Sequence, residues 1–236
     1  MGFRIWLGWH GATGHLFVVM ERVDDIYIND FEWGKVSGVD FSNHDSSIDF
    51  EVDGDHSGGI YIPDNGCCET IKEWAMLADQ QAQSYEGIAQ LPGGGGPLVN
   101  LSSFGIKGLW FLNPPYADGG GKVFGEAPTL SITEFYVTAF DFLDKDSQEK
   151  SQPSKLEKDK VIGLRISVGD FDEGDRLTDT RFTPKSKGGL VLPFTRNWGS
   201  ADFFGDAVLV GMDRAVPEIT AVEHTSWARI KASFGE

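Results

Sequence analysis

Between residues 47 and 53 the chain alternates without a break. Ile48, Phe50 and Val52 are apolar, and Ser47, Asp49, Glu51 and Asp53 between them are polar. Residues 161–168 do the same, with Ile162, Leu164, Ile166 and Val168 set against Val161, Gly163, Arg165 and Ser167. Successive side chains of a strand point to opposite faces, whereas a helix would scatter a period of two around its circumference. Both segments therefore read as strands with one face in a core, and the first carries an acidic second face.

The rest of the chain follows the same rule. Phe3, Ile5, Leu7 and Trp9 share one strand face, with Arg4, Trp6 and His10 on the other. The turn Gly11-Ala12-Thr13-Gly14 then leads into the apolar run from Leu16 to Met20, a hairpin with a buried second strand. Further strand patterns cover 132–140, from Ile132 to Phe140, and 207–211, from Ala207 to Gly211. Residues 66–82 break the pattern. Ile71, Trp74, Ala75 and Ala78 have the spacing of one short amphipathic helix. Pro92 to Pro97 encloses four glycines and reads as a loop, and the polar stretch from Asp144 to Lys160 reads as a solvated one. No repeat of 20–50 residues is visible. The expected fold is all-β, a two-sheet antiparallel β-sandwich with one short inserted helix. It occupies residues 1–213, and 214–236 form a C-terminal tail or a linker to a further domain. Thirty glycines suit the many tight turns of such a fold.

Charge narrows the partners. The formal net charge is −16, so nucleic acid and anionic membrane surfaces, both polyanionic, are disfavoured. No run of about 20 apolar residues is present to form a spanning helix. The two cysteines, Cys67 and Cys68, are adjacent, and a bond between neighbours is rare, so no cross-linked framework is expected.

Four segments in order resemble one known pattern. The first is a strand ending in Trp9, a hairpin, and Leu16 to Glu21 running into Asp24-Asp25. The second is His44-Asp45-Ser46-Ser47 with the alternating strand to Asp53-Gly54-Asp55, then Gly58-Gly59-Ile60-Tyr61. The third is Val161 to Asp172, and the fourth is Asn197-Trp198 followed by Phe204-Gly205-Asp206-Ala207-Val208-Leu209. The series resembles the family 9 carbohydrate-binding modules and their DOMON-like relatives, from about Phe3 to Gly211. Two departures stand out. The chain begins after the segment that opens the family pattern, which suggests a fragment, and the stretch from Cys67 to Phe111 is longer than expected. The resemblance implies a β-sandwich, extracellular or periplasmic with its leader absent from this chain, and often joined to other domains of a parent protein. It implies sugar binding for some members and haem or structural roles for others.

Candidate site residues follow from chemistry. Sugar rings stack on flat aromatic faces while Asn, Asp and Arg hydrogen-bond the hydroxyls. Trp33, Trp110 and Trp198 lie in turn-rich surroundings. Asn113 and Tyr116 accompany Trp110, and Arg196 and Asn197 accompany Trp198. These seven are the candidate ligand-binding residues, each set against ordinary packing at an end of the sandwich. Trp9 and Trp74 read as core. Alternate carboxylates in glycine turns, Asp53/Asp55 and Asp170/Asp172/Asp175, are candidate calcium ligands, set against turns that cap their own backbone. Calcium is thus the one candidate cofactor. His15 or Met20 as a haem ligand is set against core packing. No Gly-x-Ser-x-Gly, HExxH or phosphate loop is present, so no catalytic residues are expected. The reading is a non-catalytic module binding a neutral polysaccharide or glycan. The alternative is an interaction domain of a larger extracellular protein with no small ligand.

Overall fold

A computed structural model describes residues 2–28, 45, 47–64, 66–90, 99–101, 109–170, 188–192 and 199–211. For 47, 71, 72, 99–101, 169, 170 and 188–192 it describes the backbone alone. In chain order the strands are β1 (Gly2–His10), β2 (His15–Asp24), β3 (Ser47–Asp53), β4 (Gln83–Ile88), β5 (Val99–Leu101), β6 (Ala117–Phe124), β7 (Thr129–Thr138), β8 (Phe140–Phe142), β9 (Gln152–Pro153), β10 (Val161–Asp170), β11 (Gly188–Leu192) and β12 (Gly205–Val208). The helix α1 (Ile71–Leu77) lies between β3 and β4.

Two antiparallel sheets carry the fold. One has the order β1-β2-β7-β6. The other runs β11-β10-β3-β4-β5, with β12 also on β10, and a small β8-β9 pair stands apart. The two alternating segments are neighbours: β3 and β10 pair with Phe50 opposite Ile166 and Val52 opposite Leu164. Their apolar faces meet Leu16, Val18 and Met20 of β2 and Phe135 and Val137 of β7 in one buried core. Phe50 and Phe135 touch edge-to-face across the gap, with centroids 6.2 Å apart. All-β sandwich and short helix both agree with the sequence.

Glycine sets how closely the sheets approach. A Cβ on Gly121 of β6 would lie 2.4 Å from the Ala89 backbone just past β4. Toward this end the interior turns polar. Arg22 of β2 is fully buried, donating from Nε to Asp24 at 3.0 Å and from Nη2 to the Asp45 carboxylate at 2.7 Å. That pairing lets three charges leave water together.

Four sequence expectations need correction. Leu7 is half exposed, because β1 is an edge strand with a partner on one side only. The last strand is β12, ending at Val208. Val208 and Val210 face outward, while Leu209 is buried in the core. The segment 144–160 is no simple solvated loop. Lys145, Ser154 and Leu156 are buried, and the Lys145 Nζ donates to the Ala75 carbonyl of α1 at 2.6 Å and pairs with Asp79 at 3.2 Å. Finally, Cys67 and Cys68 are disulfide-bonded to each other; the bond closes no loop beyond its own two residues. Trp74 is core as expected, with its Nε1 donating to the Pro63 carbonyl at 2.8 Å.

Candidate ligand-binding site

The acidic face of β3 is not the solvated surface that its composition suggests. Glu51 and Asp53 are each 1% exposed, and Glu86, opposite Asp49 on β4, is 3% exposed. Residues directly opposite in an antiparallel pair share a face. The outer face of the six-stranded sheet therefore carries a row Glu86–Asp49–Ser167 beside a row Ser84–Glu51–Arg165.

One end of this face is roofed. α1 forms on a capping box, in which the Thr70 hydroxyl accepts from the Glu73 amide and the Glu73 carboxylate accepts from Thr70. Trp74, Ala75 and Ala78 on one side of α1 join Tyr61, Ile62, Ala82, Ala201 and Phe204 in a second apolar cluster. Tyr61 donates its hydroxyl to Glu51 at 3.1 Å, and Phe204 lies against Gly163 of β10. The Asp49–Ser167 end is open enough for both side chains to be part-exposed.

The charges on this floor are uneven. Arg165 forms an ion pair with Glu51, while its Nε is buried without a hydrogen-bond partner. Asp49 accepts from the Ser167 hydroxyl at 3.0 Å. Burial, followed by the nearby charges of Glu86 and Glu51, pushes the Asp49 carboxyl up to about 8. Burial also raises Glu51, against the opposing pull of Arg165. Strongly perturbed groups of this kind gather where ligands bind or chemistry occurs. Of these five residues Asp49 and Ser167 are the part-exposed ones, and both can exchange hydrogen bonds with a hydroxyl-rich molecule.

The residues singled out from the sequence are placed elsewhere or lie outside the described residues. Trp110 opens a short 3-10 turn at 110–112. Its ring packs edge-to-face on Tyr116 at 4.7 Å, Phe111 at 5.5 Å and Phe140 at 5.7 Å. Asn113 donates to the Leu109 carbonyl at 2.8 Å, and the Tyr116 hydroxyl accepts from Gln148. These three do come together, with Trp110 and Tyr116 packed against the main core and Asn113 exposed. The Asp53 carboxylate accepts from the amides of Ser57 at 3.3 Å and Gly58 at 2.8 Å, and Asp55 accepts from Ser57 at 3.1 Å. Both carboxylates are engaged in capping their own turn. Trp33, Asp172, Asp175, Arg196, Asn197 and Trp198 lie outside the described residues, and only the backbone of Asp170, at the end of β10, is described. His15 stacks on Tyr136 with centroids 4.4 Å apart, whereas Met20 is in the core; five residues apart on β2, they point to opposite faces.

Sequence reasoning missed Asp49, Glu51, Glu86, Arg165 and Ser167 as a group. The available signal was Arg165, a lone basic residue at an outward position of a strand that otherwise reads as apolar or small.

No protein-family model matches the chain, and no curated protein matches it in sequence. Solved structures do match. One is a family 9 carbohydrate-binding module from Caldicellulosiruptor kristjanssonii in complex with glucose, at a TM-score of 0.51 and 10% identity, covering 92% of this chain and 81% of that one. Another is a family 9 module from the same organism in complex with cellotriose, at 0.50 and 12%, covering 93% and 82%. At such identities the likeness is one of fold, and the chain has the fold of these modules.

Proposed function

We propose that this chain is a non-catalytic carbohydrate-binding module that takes a neutral glycan on the outer face of its six-stranded sheet. The observation that carries this reading is the likeness of fold to two modules that hold glucose and cellotriose. The polar floor supports it. Asp49 can accept from a sugar hydroxyl and Ser167 can donate to one, both side chains being part-exposed. Stacking falls to Trp33, Trp110 and Trp198, of which Trp110 packs edge-to-face on Phe111, Tyr116 and Phe140 and stays part-exposed. We further propose an extracellular or periplasmic setting, in keeping with the Cys67–Cys68 bond, since disulfides persist in oxidising compartments.

Few preorganised contacts imply modest affinity, of the order of micromolar to millimolar. Affinity electrophoresis in neutral polysaccharides tests the proposal on wild type, Trp33→Ala and Trp198→Ala. Retardation of wild type and its loss in a folded tryptophan variant are expected. Folded wild type that runs unretarded in every neutral polysaccharide would transfer the chain to the interaction-domain reading.

A further inference from the structure

The alternation that buries Leu16, Val18 and Met20 of β2 turns Phe17 and Val19 to the other side of the four-stranded sheet, away from the main core. Register carries this outward face across all four strands. One row runs Gly8–Phe17–Tyr136–Asp118, and the next runs Trp6–Val19–Glu134–Gly120. The pairings are continuous, so the face is an extended plate without a bulge. Aromatic rings gather on it. Trp6 is 43% exposed, and Phe17 and Tyr136 are part-exposed with centroids 5.9 Å apart. Single exposed apolar residues are ordinary, but rings in neighbouring rows of one sheet form a patch.

Glycine shapes the patch. Gly8 ends one row on β1, and Gly120 ends the next on β6. A Cβ on Gly120 would meet nothing within 4 Å, and one on Gly8 would meet the Phe17 Cβ at 3.8 Å. The diagonal from Gly8 to Gly120 therefore lacks bulk at both ends, with Trp6 to one side and Tyr136 to the other. Its floor is Val19, which points outward yet is only 7% exposed beneath its neighbours. Strands lie about 4.8 Å apart, so this shallow trough crosses about 14 Å of sheet. Among the described residues β1 and β6 are the sheet's edges, and the trough runs out at both. That shape admits an extended chain passing through. Charge then narrows which chain. Arg4 and Lys122 stand on this face against Glu21, Glu134 and Asp118, close to balance in a protein of net charge −16. A polyanion is repelled by the whole molecule, and a basic chain is drawn more strongly to its acidic surfaces elsewhere. A neutral chain is the ligand that the balance favours.

Resting on the carbohydrate-binding reading, we propose a second glycan face: the trough between Trp6 and Tyr136 takes an internal stretch of a neutral polysaccharide, on the opposite side of the sandwich from Asp49 and Ser167. Sugar rings stack on the exposed aromatics, while Arg4 donates to ring hydroxyls and Asp118 accepts from them, both side chains being exposed. With two faces one module holds two chains, and in a polysaccharide matrix the two engagements reinforce each other. The test is affinity electrophoresis of the full chain through hydroxyethyl cellulose, xylan and glucomannan. Wild type runs beside Trp6→Ala, Tyr136→Ala and Asp49→Asn, each variant first shown to be folded by its thermal transition. In a polysaccharide that retards wild type, Trp6→Ala and Tyr136→Ala should each bind about tenfold more weakly, equivalent to about 1.4 kcal/mol. Asp49→Asn should keep part of the retardation, and Asp49→Asn combined with Trp6→Ala should lose it. Trp6→Ala and Tyr136→Ala that both run as wild type would overturn this inference and leave the carbohydrate reading standing. Folded wild type that no neutral polysaccharide retards would overturn both. A wild-type dimer in sedimentation that becomes a monomer in Trp6→Ala would give the face to a second copy and overturn the choice of a glycan.

Discussion

Asp49→Asn should stabilise the protein in alkaline solution and do nothing in acid. The Asp49 carboxyl titrates near 8 in the folded protein and near 3.8 when unfolded. Below about pH 3 it is protonated in both states, and asparagine is then a near-isosteric replacement that can still accept from Ser167. As pH rises from 4 to 8, the unfolded chain gives up the proton while the folded one retains it, so wild-type stability falls. Above 8 both states are ionised and the difference levels off. Each unit of displacement is worth about 1.4 kcal/mol, which sets a ceiling of about 5–6 kcal/mol. Part-exposure of Asp49 to water reduces the expected gain to about 2–4 kcal/mol. Urea unfolding of both proteins at half-unit steps from pH 4 to 9 measures it. Midpoints that lie close together at pH 4 and separate steadily to pH 8 are predicted. A constant separation, or wild type becoming the more stable protein as pH rises, would refute the account of a crowded, desolvated carboxylate.

Lys145→Met should cost about 3–5 kcal/mol by stranding Asp79 in the interior, and Asp79→Asn in the same chain should recover most of it; paired denaturation curves check both. Gly121→Ala should destabilise by about 1–3 kcal/mol or more, since the new methyl meets the Ala89 backbone, and a thermal transition unchanged from wild type would contradict the close approach of the sheets there. If the acidic turns take calcium, millimolar calcium after chelation should raise the melting temperature by mass action, about 2.7 kcal/mol at a hundredfold excess over the dissociation constant. An unchanged melting temperature would mark Asp53 and Asp55 as turn caps alone.

The sandwich was legible because its core signal is local. Ile48, Phe50, Val52, Ile162, Leu164, Ile166 and Val168 announce two strands whose apolar sides must be buried somewhere, and an antiparallel pair of sheets is an economical place. The helix was legible for the same reason, through Trp74, Ala75 and Ala78. The polar floor was not, because the same alternation that places Ile48 inside places Asp49 and Glu51 outside the core, and nothing within 47–53 tells that a second layer covers that side. The cover comes from Tyr61, α1 and Phe204, brought over the sheet by chain reversals far apart in sequence. Lys145 escaped notice similarly. Its polar neighbours suggest water, yet its partner Asp79 is 66 residues away. Trp110 is a converse case. Prolines and asparagine around it suggest an open platform, and nothing local tells that Phe140, thirty positions on, packs edge-to-face on its ring.

The most direct test of the central claim is isothermal titration of the folded chain with cellotriose, run beside the Asp49→Asn and Trp198→Ala variants. The account predicts saturable binding by wild type in the micromolar to millimolar range and marked weakening in both variants, each with its thermal transition intact. Wild type that unfolds cooperatively yet shows no heat of binding with cellotriose or any other neutral oligosaccharide would contradict it. So would binding that neither variant disturbs.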